Sequence, residues 1–290
     1  MDRSESLVPQ QRVVEVEHGR LHACVWNAAA ASGSLPIVLL HDSLGAVALW
    51  RDFPARLAVH TGRAVLAYDR LGFGRSDPHA GTLAADFIAG EARASLWPVL
   101  DGFGVGRAIL FGHSVGGGMA VAAAAQCPHR VAAVITESAQ AFVEDQTLDG
   151  IRQAQRHFAD PAQVARLARY HGDTARARWV LDAWIETWLA PAYADWSLDQ
   201  QLHCPLLALH GEHDEFGSAL HPQRIAALGA PGELLMLAGC AHVPHREQAA
   251  IVLQAVTAFL QRHGAAIDHA AAAPMQSSPK QAAPMQAAPE

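Results

Sequence analysis

Residues 110–118, Leu-Phe-Gly-His-Ser-Val-Gly-Gly-Gly, set one serine between glycines where an apolar run gives way to an alanine-rich stretch. Such a G-x-S-x-G arrangement fits a strand that turns so abruptly into a helix that Gly112 and Gly116 must let neighbouring backbones pass. Ser114 then stands exposed at a helix N-terminus. There the helix dipole and the N–H of Val115 face any negative charge that develops on a bound carbonyl oxygen. The pentapeptide alone is a weak signal, because a glycine-rich turn is also ordinary strand–helix punctuation. Its context strengthens it: residues 107–111 read as a short buried strand, and 119–126 as a helix of small apolar residues suited to packing on a sheet.

The remaining strands should lie at 13–17 and 21–26, an antiparallel pair turning at His18-Gly19, then at 36–40, 63–68, 131–136, 206–210 and 234–237. Short apolar runs alternating with helices predict an α/β chain, a mostly parallel central sheet covered by helices on both faces, with functional loops gathered at the carboxyl ends of the strands. Residues 148–158, 161–171 and 174–189 have helical periodicity instead. We therefore expect a core formed by 1–139 and 203–264, a helical cap over 140–202, and a disordered tail over 265–290, where Ala-Pro-Met-Gln-like units recur. Phe142, Trp179, Trp184, Trp188 and Glu137 are the candidate substrate contacts at the cap, although tryptophans at helical spacing more often serve packing.

A serine hydroxyl is a poor nucleophile at neutral pH, so it needs a histidine base and a carboxylate to orient that base. The apolar run at 206–210 ends in Gly211-Glu212-His213-Asp214, and the next ends in Gly239-Cys240-Ala241-His242. Asp214 and His242 are the expected acid and base, ahead of a helix over 247–260. Glu137, at the end of the strand before the cap, is the substitute acid. The chain holds 17 histidines, so His210, His213 and His245 are nearby competitors. His242 and His245 lack the H-E-x-x-H pattern, and no metal is expected.

With 21 basic and 28 acidic residues, the formal net charge is −7, and no basic cluster exists to hold nucleic acid or an anionic membrane. Four cysteines far apart suggest neither a zinc ribbon nor a disulfide framework, and a reducing cytoplasm is the natural location. No apolar run approaches the ~20 residues of a membrane span. The expected partner is a small-molecule substrate, with room for a homodimer.

These motifs resemble those of the α/β-hydrolase superfamily over about 13–260. Besides Gly112-His113-Ser114-Val115-Gly116, the run Asp69-Arg70-Leu71-Gly72-Phe73-Gly74-Arg75-Ser76 looks like that superfamily's D-x-x-G-x-G-x-S turn. The chain is similar to capped bacterial esterase-like members and, more distantly, to valacyclovir hydrolases, which carry an acidic residue just after the nucleophile where this chain has Val115. The resemblance implies an oxyanion hole formed by the backbone N–H groups of Ser43 and Val115. Asp42 stands where the superfamily's turn usually has glycine, and is expected to turn away toward loop backbone or Arg75.

The implied activity is cofactor-free ester hydrolysis by Ser114, His242 and Asp214 through an acyl-enzyme, with thioesters or lactones as related substrates and a small to medium apolar group in the pocket. Two other classes use the same scaffold. One is a carbon–carbon bond hydrolase or cofactor-free lyase on the same triad. The other is a ligand-sensing receptor with residual hydrolysis.

Overall fold

A computed structural model describes residues 7–30 and 34–269. Eight strands form one sheet in the order β1-β2-β4-β3-β5-β6-β7-β8. They are β1 (Gln10–Val16), β2 (Gly19–Trp26), β3 (Ile37–Leu40), β4 (Val65–Tyr68), β5 (Ala108–His113), β6 (Val131–Glu137), β7 (Leu206–Gly211) and β8 (Gly232–Leu237). β1 and β2 pair antiparallel, as does β2 with β4, and every pair from β4 to β8 is parallel. β3 through β7 are buried along their whole length, which is why their sequences are continuous apolar runs rather than alternating ones.

The helices are α1 (Phe53–Thr61), α2 (Phe87–Glu91), α3 (Trp97–Gly102), α4 (Val115–Gln126), α5 (Asp145–His157), α6 (Pro161–His171), α7 (Thr174–Leu189), α8 (Leu220–Leu228), α9 (Pro244–Glu247), α10 (Ala249–Arg262) and α11 (Gly264–His269). One apolar cluster lies on the sheet face that α4 covers, and the second on the face that α1 and α10 cover. From Val115 to Ala124 every residue of α4 is buried, so alanine and glycine are the side chains that let it sit against the sheet. α5, α6 and α7 form a helical insertion between β6 and β7. Cys24, Cys204 and Cys240 are buried free thiols.

The segment expected to be a disordered tail, 265–290, opens instead as helix. Residues 264–269 are helical, because Ile267 is buried in the second cluster and Asp268 pairs with Arg63 at 2.7 Å. The rest of that segment, 270–290, lies outside the described residues. Among the described residues, no helix is long and apolar enough to cross a membrane.

Candidate active site

The sheet reverses its strand order around β3, and the parallel strands deliver their following loops to one end. Ser43 follows β3, Asp69 follows β4, Ser114 follows β5, Asp214 follows β7 and His242 follows β8. Residues distant in sequence thus converge on one edge.

Ser114 has φ 53° and ψ −124°, a strained conformation for a residue with a side chain. The glycines around it are steric necessities. A Cβ on Gly112 would stand 2.0 Å from the Gly116 carbonyl oxygen, and one on Gly116 would stand 2.2 Å from that of Leu40. The Ser114 N–H donates to the Glu137 carbonyl at 2.8 Å, and the hydroxyl lies 3.5 Å from Gln140 Oε1. Among the described residues, the backbone N–H groups of Ser43 and Val115 have no hydrogen-bond partner.

His242 Nδ1 donates to both oxygens of Asp214, at 2.8 and 3.0 Å, which leaves Nε2 as the acceptor. The Asp214 carboxylate also accepts from the Phe216 N–H at 2.8 Å. Burial alone would lower the His242 pKa, but the charge and hydrogen bond of Asp214, aided by Glu215 and Asp42, outweigh it and hold the imidazole above its ordinary value. Burial would raise Asp214, yet His242, His210 and the Phe216 N–H hold it below the usual carboxylate range. His113 Nε2 donates to the His242 carbonyl at 2.8 Å, anchoring that loop from beneath.

Ser114 and His242 line one cavity of about 100 Å³, together with Asp42, Ser43, Leu44, Gln140, Thr147, Ile151, Trp184, Trp188 and Phe216. The structure therefore brings Ser114, His242, Ser43, Trp184 and Trp188 to one space, with Asp214 behind His242. It does not bring the other candidates there. Glu137 is fully buried and its carboxylate is occupied by the backbone N–H and Nδ1 of His245, the latter at 2.7 Å, so it contacts neither substrate space nor His242. Phe142 packs on His221 with ring centres 4.4 Å apart, beneath the Arg224 guanidinium, at the junction of core and insertion. Trp179 faces Gly72 and stacks on His79, clamping α7 to the turn after β4.

That turn is structural. Asp69 accepts from the N–H groups of Val47 and Arg75 at 2.6 and 3.0 Å and pairs with His22 at 2.9 Å, while Ser76 Oγ donates to the Asp69 carbonyl. It fixes the loop that carries Ser43 to the sheet. His171 on α6 completes the connection: its Nδ1 accepts from the Gly74 N–H, and its Nε2 donates to the Leu44 carbonyl at 3.1 Å.

Of the two partners expected for Asp42, Arg75 bonds Gln11 instead, whereas the Asp42 Oδ1 lies over the loop backbone at Gly45; the residue borders both the Ser114 cavity and an adjacent one lined by His41, Trp50, His113, His245 and Arg246. The Arg70 guanidinium donates to the Asp42 carbonyl at 2.8 Å, not to its carboxylate. Asp42 does not adopt a left-handed backbone, so the turn has no steric need for glycine there. Sequence reasoning also missed Phe216, whose ring centre is 4.7 Å from that of His242; its place two residues after Asp214 was the available signal.

His113, Glu137 and His245 place possible metal-ligand atoms within 4.8 Å of one another. The bonds of Glu137 to His245 and of His113 to the His242 carbonyl account for this proximity as a buried polar clamp.

The comparisons with known proteins agree with this architecture. Residues 36–162 match the family model for the alpha/beta hydrolase fold. The dihydrolipoyllysine-residue acetyltransferase component of an acetoin cleaving system from Pseudomonas putida is 30% identical over 281 residues, covering 90% of this chain and 72% of that protein. The chain belongs to the α/β-hydrolase superfamily. Other curated relatives are matched over less of their length, only 37% in the case of a protein of Mycobacterium phage D29. Among solved structures, 2-hydroxy-6-oxo-6-phenylhexa-2,4-dienoate hydrolase from Rhodococcus sp. strain RHA1 superposes with a TM-score of 0.74 at 17% identity, covering 88% of this chain and 100% of that one. Carboxylesterase CesB from Bacillus subtilis does so with a TM-score of 0.63 at 20% identity, covering 89% and 93%. At these identities, the two superpositions describe the fold. Membership of the superfamily, with hydrolases among the relatives, supports a hydrolase.

Proposed function

We propose that the protein is a serine hydrolase that cleaves carboxylic esters of compact, largely apolar substrates, with thioesters and lactones as related substrates. The observation that carries this reading is the His242–Asp214 pair, which leaves His242 Nε2 as a proton acceptor in the same cavity as a serine held at a strained turn. His242 takes the proton of Ser114 as the hydroxyl oxygen attacks the carbonyl carbon. The unpaired N–H groups of Ser43 and Val115 receive the oxyanion, and Asp214 stabilises the imidazolium. Collapse expels the alcohol, which takes the proton from His242, and the same histidine then activates water to release the acid. No cofactor enters this sequence. The helical insertion acts as a cap, contributing Ile151, Trp184 and Trp188 as apolar walls. A cytoplasmic site of action, supported by the buried free thiols, belongs to the same proposal.

Carbon–carbon bond hydrolysis is the second reading, favoured by 33% identity over 137 residues to 2-hydroxy-6-oxononadienedioate/2-hydroxy-6-oxononatrienedioate hydrolase from Burkholderia vietnamiensis. The cavity argues against it. A dioate substrate is a dianion, and no lysine or arginine lines the cavity to receive it.

The test is intact mass after treatment with a fluorophosphonate. Wild type should gain a single adduct that is absent in Ser114→Ala and slowed in His242→Ala, with ester turnover lost in both. A folded wild type that takes no adduct and turns over no ester would refute the reading.

A further inference from the structure

A second space, of about 390 Å³ against about 100 Å³ for the cavity of Ser114, lies along the segment that joins the turn after β4 to α2. Neither Ser114 nor His242 lines it. Val16, Leu71, Phe73, Leu83 and Phe87 supply apolar walls, and three buried polar residues, Arg70, Glu91 and Ser95, belong to the same lining. Glu91 accepts from the Tyr68 hydroxyl at 2.7 Å. The Arg70 guanidinium lies over the Phe73 ring, with Nε donating to His41 Nε2 and Nη2 to the Asp42 carbonyl. Its Nη1 has no hydrogen-bond partner among the described residues, and neither has the buried Nδ1 of His79, another residue of the lining. An apolar space of this size with a few buried polar groups has the make-up of a small-molecule site.

Two features of the chain keep the space open. Gly90 lies on the cavity within α2, where glycine weakens a helix, and a Cβ there would meet nothing within 4 Å. Close packing therefore does not call for that glycine. The next turn, Ala92–Leu96, is π-helical, and Arg93, Ala94 and Ser95 on it all line the cavity. Such a widened turn is rare and recurs at functional sites.

The lining carries charges of both signs, Arg70 and Arg93 with Glu17, Asp86 and Glu91, and so gives neither an anion nor a cation a field of its own. Burial also pushes the Glu91 carboxyl up, toward its neutral form. We propose that this cavity is a second binding site, for an uncharged, mostly apolar organic molecule that carries a hydrogen-bonding oxygen. The walls take the apolar body, and Arg70, Ser95 and Glu91 offer the oxygen its partners. Glu17, His18 and Arg93 are exposed, which puts the entrance on the solvent side of the β1–β2 turn and the π turn. The inference does not depend on the ester-hydrolase reading, because what binds here does not meet Ser114.

The probe is prodan, an uncharged naphthalene ketone whose emission moves to shorter wavelength when it leaves water. Wild type should bind one equivalent with a blue-shifted emission, and Ser114→Ala should bind it within about twofold of wild type. Gly90→Phe fills the space from α2 and Ala94→Phe from the π turn. Each should weaken binding about tenfold or more while the melting temperature stays near that of wild type, and either variant suffices if the other does not fold. The absence of a saturable shift in wild type would mean a void left by loose packing of 79–86, and overturns the proposal. Binding that survives both phenylalanine variants, or that disappears in Ser114→Ala, overturns it as well. An anilinonaphthalene sulfonate that binds more tightly than prodan and is displaced by Gly90→Phe overturns the uncharged class. Ester turnover does not enter the readout, so a protein that binds prodan in this way and cleaves no ester keeps the second site and loses only the ester-hydrolase reading.

Discussion

His242 is held by opposing forces, and their balance can be measured. Burial favours its neutral form, and the Asp214 carboxylate, 2.8 Å from Nδ1, overrides that preference and raises the pKa. A histidine that must accept a proton works only when neutral. The acid limb of kcat/KM should therefore lie above the ordinary imidazole value of 6.5 in wild type, with activity rising as pH climbs through it. Asp214→Asn removes the raising charge but leaves the burial. Its limb should move to lower pH while kcat falls roughly 10⁴-fold, because the base loses its oriented tautomer. A pH profile of both proteins checks the pair of changes, and an unshifted limb in the mutant would assign the titration to another group. Glu137 would behave differently: its carboxylate binds His245, so Glu137→Gln should lower stability by about 3–5 kcal/mol, read by denaturant unfolding, without moving the limb.

At the scale of elements, the turn after β4 and the helical insertion act as one device. Trp179 covers Gly72, its Nε1 donates to the Gly81 carbonyl at 2.7 Å, and His171 links the Gly74 N–H to the Leu44 carbonyl beside Ser43. Trp179→Ala should cost about 3 kcal/mol, the low end for a tryptophan truncation because the ring is only half-buried, and loosen α7 over the cavity. The expected signs are faster limited proteolysis within 174–189 and a higher KM, with kcat less affected. A mutant that instead loses kcat at unchanged KM would place Trp179 in the chemistry. Much of this architecture was legible. The apolar runs that became β3 to β7 are buried on both faces and so advertise themselves, and the elbow glycines announce a steric requirement that few other turns share. Even the split among the tryptophans had a local signal: Trp184 and Trp188, four residues apart, share a helix face and reach the cavity, while Trp179 is about 140° away from Trp184. What could not be read were contacts made through space. Glu137 read as a loose acid because nothing local reveals that the next strand but one brings His245 over it, and Phe142 read as a pocket residue because its partner His221 arrives from α8. The segment 87–102 was obscured by a π turn at Ala92–Leu96 and by Pro98.

The molecule as a whole keeps His22, His41, His113, His171, His210, His221 and His245 buried, and that has a consequence for its stability. Burial is the leading influence that lowers the pKa of His41, His113, His171, His210 and His221, while the raised value of His242 is the exception. Each depressed imidazole stays neutral in the folded chain at a pH where the unfolded chain already binds a proton. These groups stabilise the fold fully above their ordinary value of 6.5, and that contribution drains away as pH falls through the window toward their folded values. The depressed carboxylates Asp214 and Glu137 add a second loss at lower pH, as they too must be protonated. His242 works in the opposite sense, gaining stability below its raised pKa, but it is one group against five. The melting temperature should therefore decline steadily below about pH 6.5, before carboxylate titration near pH 4 begins. His171→Gln, which can preserve part of the bonding between Gly74 and Leu44 without a titrating ring, should make that decline shallower. Melting curves of wild type and this variant across the interval decide the matter: a flat wild-type profile between pH 6.5 and 5 would mean that the buried rings accept protons without opening the fold.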